Sequence, residues 1–141
     1  MAVLRKTEAS LRILGDDLDP EEITAALGKQ PDKAARLGDT LRTPLGGERI
    51  SQTGVWSVSV EQRIPGDLDA QIAKLLEGTT ENIGVWRNIT SRFKSDIFCG
   101  LFLDECNEGL SISPTTMKAL GERGILLDLD IYSGTDEPEA D

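Results

Sequence analysis

A chain of 141 residues, 38% of them apolar, has the length of a single domain and can bury one core without disulfides or a structural metal. Its net charge of −10, from 15 basic and 25 acidic residues, argues against nucleic acid and anionic membranes as partners and favours a protein partner with a basic surface. The absence of histidine removes Ser-His-Asp and Cys-His catalysis and zinc sites built on imidazole.

After a lead-in at 1–8, Leu11 and Ile13 alternate with Ser10 and Arg12, which predicts a strand over 9–14. Asp19 as N-cap, Pro20 at the first helical position and Glu22 three residues after the cap predict a helix start. Ile23, Ala26 and Leu27 form its apolar face, and Gly28 stops it.

Residues 29–53 carry Pro31, Gly38, Pro44, Gly46 and Gly47 without sustained periodicity, and are expected to form a long loop. Lys29, Lys33, Arg36, Arg42 and Arg49 outnumber Asp32, Asp39 and Glu48, so the loop is basic in an acidic protein. Arg36, Arg42 and Arg49 are therefore candidate binding residues for an anionic group, since guanidinium suits bidentate recognition. The competing reading is that they pair with the protein's own carboxylates.

Trp56, Val58 and Val60 alternate with Ser57 and Ser59 in a strand over 54–60, and Pro65-Gly66 turns the chain. Leu68, Ile72, Leu75 and Leu76 mark a helix over 67–77. Ile83, Trp86, Ile89 and Phe93 mark another over 80–93. Residues 96–104 are apolar on both faces, as in a central strand with cover above and below, at least locally. A polar turn leads to a short strand at 110–112. Ser113 and Pro114 then start a helix with Met117 and Leu120 on its apolar face, ended by Gly121 and Gly124. Leu127, Leu129 and Ile131 alternate with Asp128, Asp130 and Tyr132 in a last strand over 125–132. An acidic tail, expected to be disordered, follows at 133–141.

The order β-α-β-α-α-β-β-α-β predicts an α+β domain over 9–132. A mixed, mostly antiparallel sheet should carry its helices on one face in a ferredoxin-like arrangement, either one extended version or two halves. The two-half version draws on a faint echo between Leu11–Gly28 and Leu110–Gly121. Arg12, Ser57, Ser59, Asp128, Asp130 and Tyr132 are expected to point away from the helices. If the first and last strands are neighbours, Arg12 can pair across the sheet with one of these aspartates.

No run of roughly 18 apolar residues is present and residues 1–7 lack a signal-peptide core, so a cytoplasmic protein is expected. Cys99 reads as a core thiol, and its spacing from Cys106 fits no metal or redox motif. The acidic run Asp16, Asp17, Asp19, Glu21 and Glu22 lacks calcium-loop spacing and fits helix capping. Gly46-Gly47 is too short for a phosphate loop, Trp56 and Trp86 fit core stripes, and Asn88-Ile89-Thr90 matches a glycosylation acceptor by letters only.

Leu11-Arg12-Ile13, the run Asp17 to Thr24, Leu27-Gly28 with Pro31, Gly38-Asp39, Gly54-Val55-Trp56-Ser57 and the run Leu127 to Tyr132 together resemble the domain-of-unknown-function 4279 family over about residues 10–132. The resemblance implies a compact bacterial α+β domain and brings no catalytic residues with it. An enzyme of ordinary hydrolytic or redox type is not expected, and neither a metal nor a cofactor. The leading expectation is an interaction module, inhibitor-like or immunity-like, whose acidic surface meets a basic partner, as monomer or homodimer. One alternative is a regulatory domain holding a small ligand over the sheet or under the 29–53 loop. Another is an enzyme using Asp128 and Asp130 as a carboxylate pair.

Overall fold

In the strand β2 (Lys6–Gly15) Thr7, Ala9, Leu11 and Ile13 are buried and the residues between them are not, the signature of a sheet covered on one side. β6 (Gly54–Ser59) repeats it with Trp56 and Val58; in β7 (Lys94–Phe102) Ile97, Cys99 and Leu101 are buried on the same side, and Asp96 and Gly100 are buried as well. These facts come from a computed structural model, which describes residues 2–133. The expected start of β2 at residue 9 is corrected to Lys6, which takes residues 6–8 from the lead-in into the sheet. Gly134–Asp141, most of the expected tail, lie outside the described residues.

The main sheet adds β3 (Lys33–Ala35) and β9 (Leu126–Tyr132) in the order β3-β6-β2-β7-β9. Its pairs are antiparallel except β7 with β9, which run parallel. Four helices cover one face: α1 (Pro20–Leu27) against β6, α2 (Leu68–Leu76) against β2, α3 (Ile83–Arg92) against β7 and α4 (Pro114–Arg123) against β9.

Three expectations need correction. Residues 29–53 are not a structureless loop. β3 joins the sheet edge, and β4 (Thr40–Arg42) with β5 (Glu48–Ile50) forms a separate hairpin closed by Thr43 N–H to Gly47 O at 2.8 Å. Strands of three residues are too short to display a period, so no alternation announced them. The strand expected at 110–112 is absent; β8 (Glu108–Gly109) instead pairs in parallel with β1 (Ala2–Val3), which removes one half of the internal echo. On α4 the buried positions are Thr116 and Leu120, while Met117 is exposed, and the helix runs through Gly121 to its left-handed cap at Gly124.

The reason for Thr116 is polar. Its hydroxyl donates to Asp69 Oδ1 at 2.7 Å, and the Ser113 backbone N–H donates to the same oxygen at 3.0 Å, so a carboxylate from α2 holds the start of α4. Burial alone would push the Asp69 carboxyl up, but these hydrogen bonds outweigh it and hold the group below its ordinary value. A depressed folded pKa gives stability that is present above the ordinary aspartate value, about 3.9, and lost as the pH falls through the folded one. Wild type should therefore exceed Asp69→Asn in urea unfolding at neutral pH, with the gap closing on acidification. A gap that does not change with pH would show that the charge does not hold α4.

The two tryptophans are core residues, both 0% exposed. The Trp56 indole N–H donates to Thr24 Oγ1 at 3.0 Å and that of Trp86 to the Thr80 carbonyl at 2.9 Å. Gln71, which no apolar pattern flags, is also buried. It donates to the carbonyls of Thr7 (2.9 Å) and Glu61 (3.0 Å) and accepts from the Thr7 hydroxyl (2.7 Å), joining α2, β2 and the segment after β6. Cys99 and Cys106 are both free thiols, and burial pushes Cys99 up to about 12.

Candidate functional site

The sheet face opposite the helices carries its residues in rows set by strand register. Ser57, Arg12, Asp96 and Leu126 form one row, and Ser59, Ser10, Phe98 and Asp128 the next. Glu8, Gly100 and Asp130 follow, then Lys6, Phe102 and Tyr132. Arg12, Ser57, Ser59, Asp128, Asp130 and Tyr132 thus all lie on the face away from the helices.

Arg12 is the hub. Its Nε and Nη2 donate to the two oxygens of Asp96 at 2.9 and 2.7 Å, and its guanidinium sits 4.3 Å from the centre of the Phe98 ring. The Asp96 hydrogen bond holds the Arg12 guanidinium above its ordinary pKa against the opposing effect of burial. β2, the strand expected to come first, and β9 are not neighbours, because β7 lies between them. Arg12 reaches over it to within 4.0 Å of Asp128 Oδ2. Asp96 is the residue that sequence reasoning missed. It is 1% exposed although it projects from the open face, and its only sequence signal is a charge opening an otherwise apolar strand.

Toward β9 the face is aromatic and acidic. Phe102 and Tyr132 stack with ring centres 4.6 Å apart, and the Lys6 ammonium lies 4.1 Å from the Phe102 centre. The Tyr132 hydroxyl donates to Asp130 Oδ2 at 2.7 Å, and that bond keeps its proton by raising its pKa. Asp128 and Asp130 are therefore engaged by different partners, one cationic and one a hydroxyl. Phe98 and Phe102, read as evidence of cover on both faces, are covered by Arg12 and by Tyr132 with Lys6, not by a second layer.

A depression of about 270 Å³ opens among Glu8, Ser10, Ser59, Phe98, Gly100 and Tyr132. Gly100 keeps its floor low, since a Cβ there would lie 3.0 Å from the Phe102 ring. Lys6 is within 3.9 Å of Glu8 and Arg12 is committed to Asp96, so the cations of this half are already paired. Lys33 lies at the opposite edge of the sheet and Lys94 at the far end of β7.

None of the arginines of 29–53 lines the depression. β3 is the edge opposite β9, and the β4–β5 hairpin follows it. Arg36 donates to Asp19 Oδ1 at 2.8 Å and lies 3.9 Å from Glu21, fastening the segment to the start of α1. Lys29 donates to the carbonyls of Lys74, Leu75 and Glu77 at 3.2, 2.9 and 2.7 Å, which caps the end of α2. Arg42 and Arg49 are exposed on the hairpin, and among the described residues neither forms an ion pair. The groove of about 490 Å³ between α1 and α3 has an apolar floor at Ala26, Val85 and Ile89. It is flanked by the bidentate Arg92–Glu22 pair (3.1 and 2.8 Å), which satisfies its two charges.

Among the described residues no group of three His, Cys, Asp or Glu side chains could hold a metal, and no helix is long and apolar enough to cross a membrane. No curated protein and no solved structure matches the chain. A family profile described as a domain of unknown function (DUF4279) matches residues 5–134, nearly all of the residues that build the sheet and its helices. The chain belongs to the DUF4279 family.

Proposed function

We propose that this domain is a non-enzymatic interaction module that takes a basic segment of a protein partner on the open face of its sheet. The observation that carries the reading is the uncovered, half-buried depression bounded by Glu8, Phe98, Gly100 and Tyr132, with Asp128 and Asp130 beside it. An arginine or lysine side chain would meet ring faces and carboxylates there together, and cations are attracted to both. The net charge of −10 adds long-range attraction for a basic partner. The strand order β3-β6-β2-β7, antiparallel throughout, also supports a ferredoxin-like core of two interlocked split β-α-β units, extended by α4 and β9.

The test is affinity capture with wild type and Ser59→Arg as baits, at low and high ionic strength. Ser59 is exposed on β6, at the rim of the depression and away from β9. An arginine there fills the depression and repels a basic group. A protein retained by wild type at low salt should be lost at high salt and lost with Ser59→Arg, whose Tm stays at the parent value. Equal retention by both baits would overturn the open-face reading.

A further inference from the structure

We infer that the outer edge of β9 is a strand-addition site for an extended partner segment that alternates basic with apolar residues. The inference rests on the interaction-module reading above and names the backbone geometry and partner chemistry that it lacks.

β9 pairs with β7 over seven residues in unbroken register, and among the described residues no strand pairs with its other edge. The Tyr132 carbonyl accepts from Leu103 N–H at 3.0 Å, so Tyr132 faces β7. Successive residues of a strand direct their backbone groups to opposite edges. Leu127, Leu129 and Ile131 therefore point their N–H and C=O groups outward. Their side chains lie on the helix side of the sheet, where Leu129 is 46% and Ile131 62% exposed. Asp128 and Asp130 lie on the open face. The edge thus offers backbone hydrogen bonding, an apolar row on one face and two carboxylates on the other.

That combination selects its occupant. A second copy is disfavoured by register. Antiparallel pairing of β9 with itself centred on Leu129 sets Asp128 opposite Asp130. Shifting the centre to Asp128 or Asp130 sets that aspartate opposite itself. Like charges directly opposite are destabilising, and carboxylates on an edge are a recognised guard against self-pairing. An incoming strand with Lys or Arg facing Asp128 and Asp130, and apolar residues facing Leu129 and Ile131, reverses both terms. Main-chain bonds then supply affinity and the alternating side chains supply specificity.

The test uses two synthetic peptides, one alternating Lys with Val and one alternating Glu with Val, with amide hydrogen exchange and binding titrations. The Lys–Val peptide should bind and slow exchange at Leu127, Leu129 and Ile131, and the Glu–Val peptide should not. The double variant Asp128→Lys/Asp130→Lys should reverse the preference by about tenfold or more. Leu129→Pro, which removes an outward N–H together with the Leu129 side chain and no hydrogen bond to β7, should abolish binding of either peptide. If that variant fails to fold, the charge reversal alone decides the matter. Binding of Lys–Val without protection of the three outward amides would overturn edge pairing while leaving the open-face reading intact. Absence of binding would also overturn edge pairing, with the open face still judged by Ser59→Arg. A preference for Lys–Val that survives the double variant overturns the partner chemistry, and a wild-type dimer with these amides protected overturns the choice of occupant.

Discussion

Replacing Arg12 by Met should destabilise the domain by about 3–5 kcal/mol, the usual consequence of leaving one member of a buried ion pair without its partner. Asp96 is 1% exposed and its two oxygens are held by Arg12 at 2.9 and 2.7 Å, so the substitution leaves a buried carboxylate without its cation. The loss is a large share of a typical stability of roughly 5–15 kcal/mol. Asp96→Leu alone should be milder, because Arg12 is 30% exposed and its charge can turn to water and to Asp128. The double variant Arg12→Met/Asp96→Leu should be more stable than Arg12→Met, since it leaves no buried charge behind. Urea unfolding of the four proteins completes the cycle. Strict additivity of the two single changes would show that the pair does not act as a unit, and would remove Arg12 as the organiser of the open face.

The contrast between Arg12 and Asp96 shows where sequence reading stops. Leu11 and Ile13, Trp56 and Val58, and the caps at Asp19 and Ser113 are local signals. Each depends on a period or a neighbour within a few residues, and each is realised in the structure. The partner of Arg12 is 84 residues away and depends on β7 lying between β2 and β9, which no local pattern encodes. Phe98 and Phe102, whose cover was expected at least locally, are covered through contacts of the same long-range kind. An aromatic ring can be covered by one guanidinium or one stacked tyrosine, so apolar residues on both faces of a strand do not require two layers. In 29–53 the excess of lysine and arginine pointed to binding, yet Lys29 and Arg36 are spent on helix ends. The candidate residues that the fold does bring together, Arg12, Asp128, Asp130 and Tyr132, came from the face assignment, which alternation alone supports.

Truncating Trp56 to Ala should cost about 3–5 kcal/mol and leave the binding face of the folded molecules unchanged. Trp56 is 0% exposed on the helix side of β6, opposite Ile13 in register, and belongs to the same core as Ile23 and Leu27 of α1. Removing it opens a cavity under the sheet and also leaves the Thr24 hydroxyl without its indole donor. Trp56→Phe separates the two effects. It keeps most of the ring volume and loses the hydrogen bond, so its cost should be nearer about 1–2 kcal/mol. It also leaves Trp86 as the one tryptophan reporter of unfolding. Because Trp56 and Ser59 project from opposite faces of one strand, the two kinds of substitution should divide cleanly. Trp56→Ala lowers Tm and leaves the affinity per folded molecule for a basic partner at the parent value. Ser59→Arg leaves Tm and removes the affinity. If Trp56→Ala instead weakens binding below its melting transition, the open face is not rigid enough to be a preformed surface. The partner would then have to order the sheet as it binds.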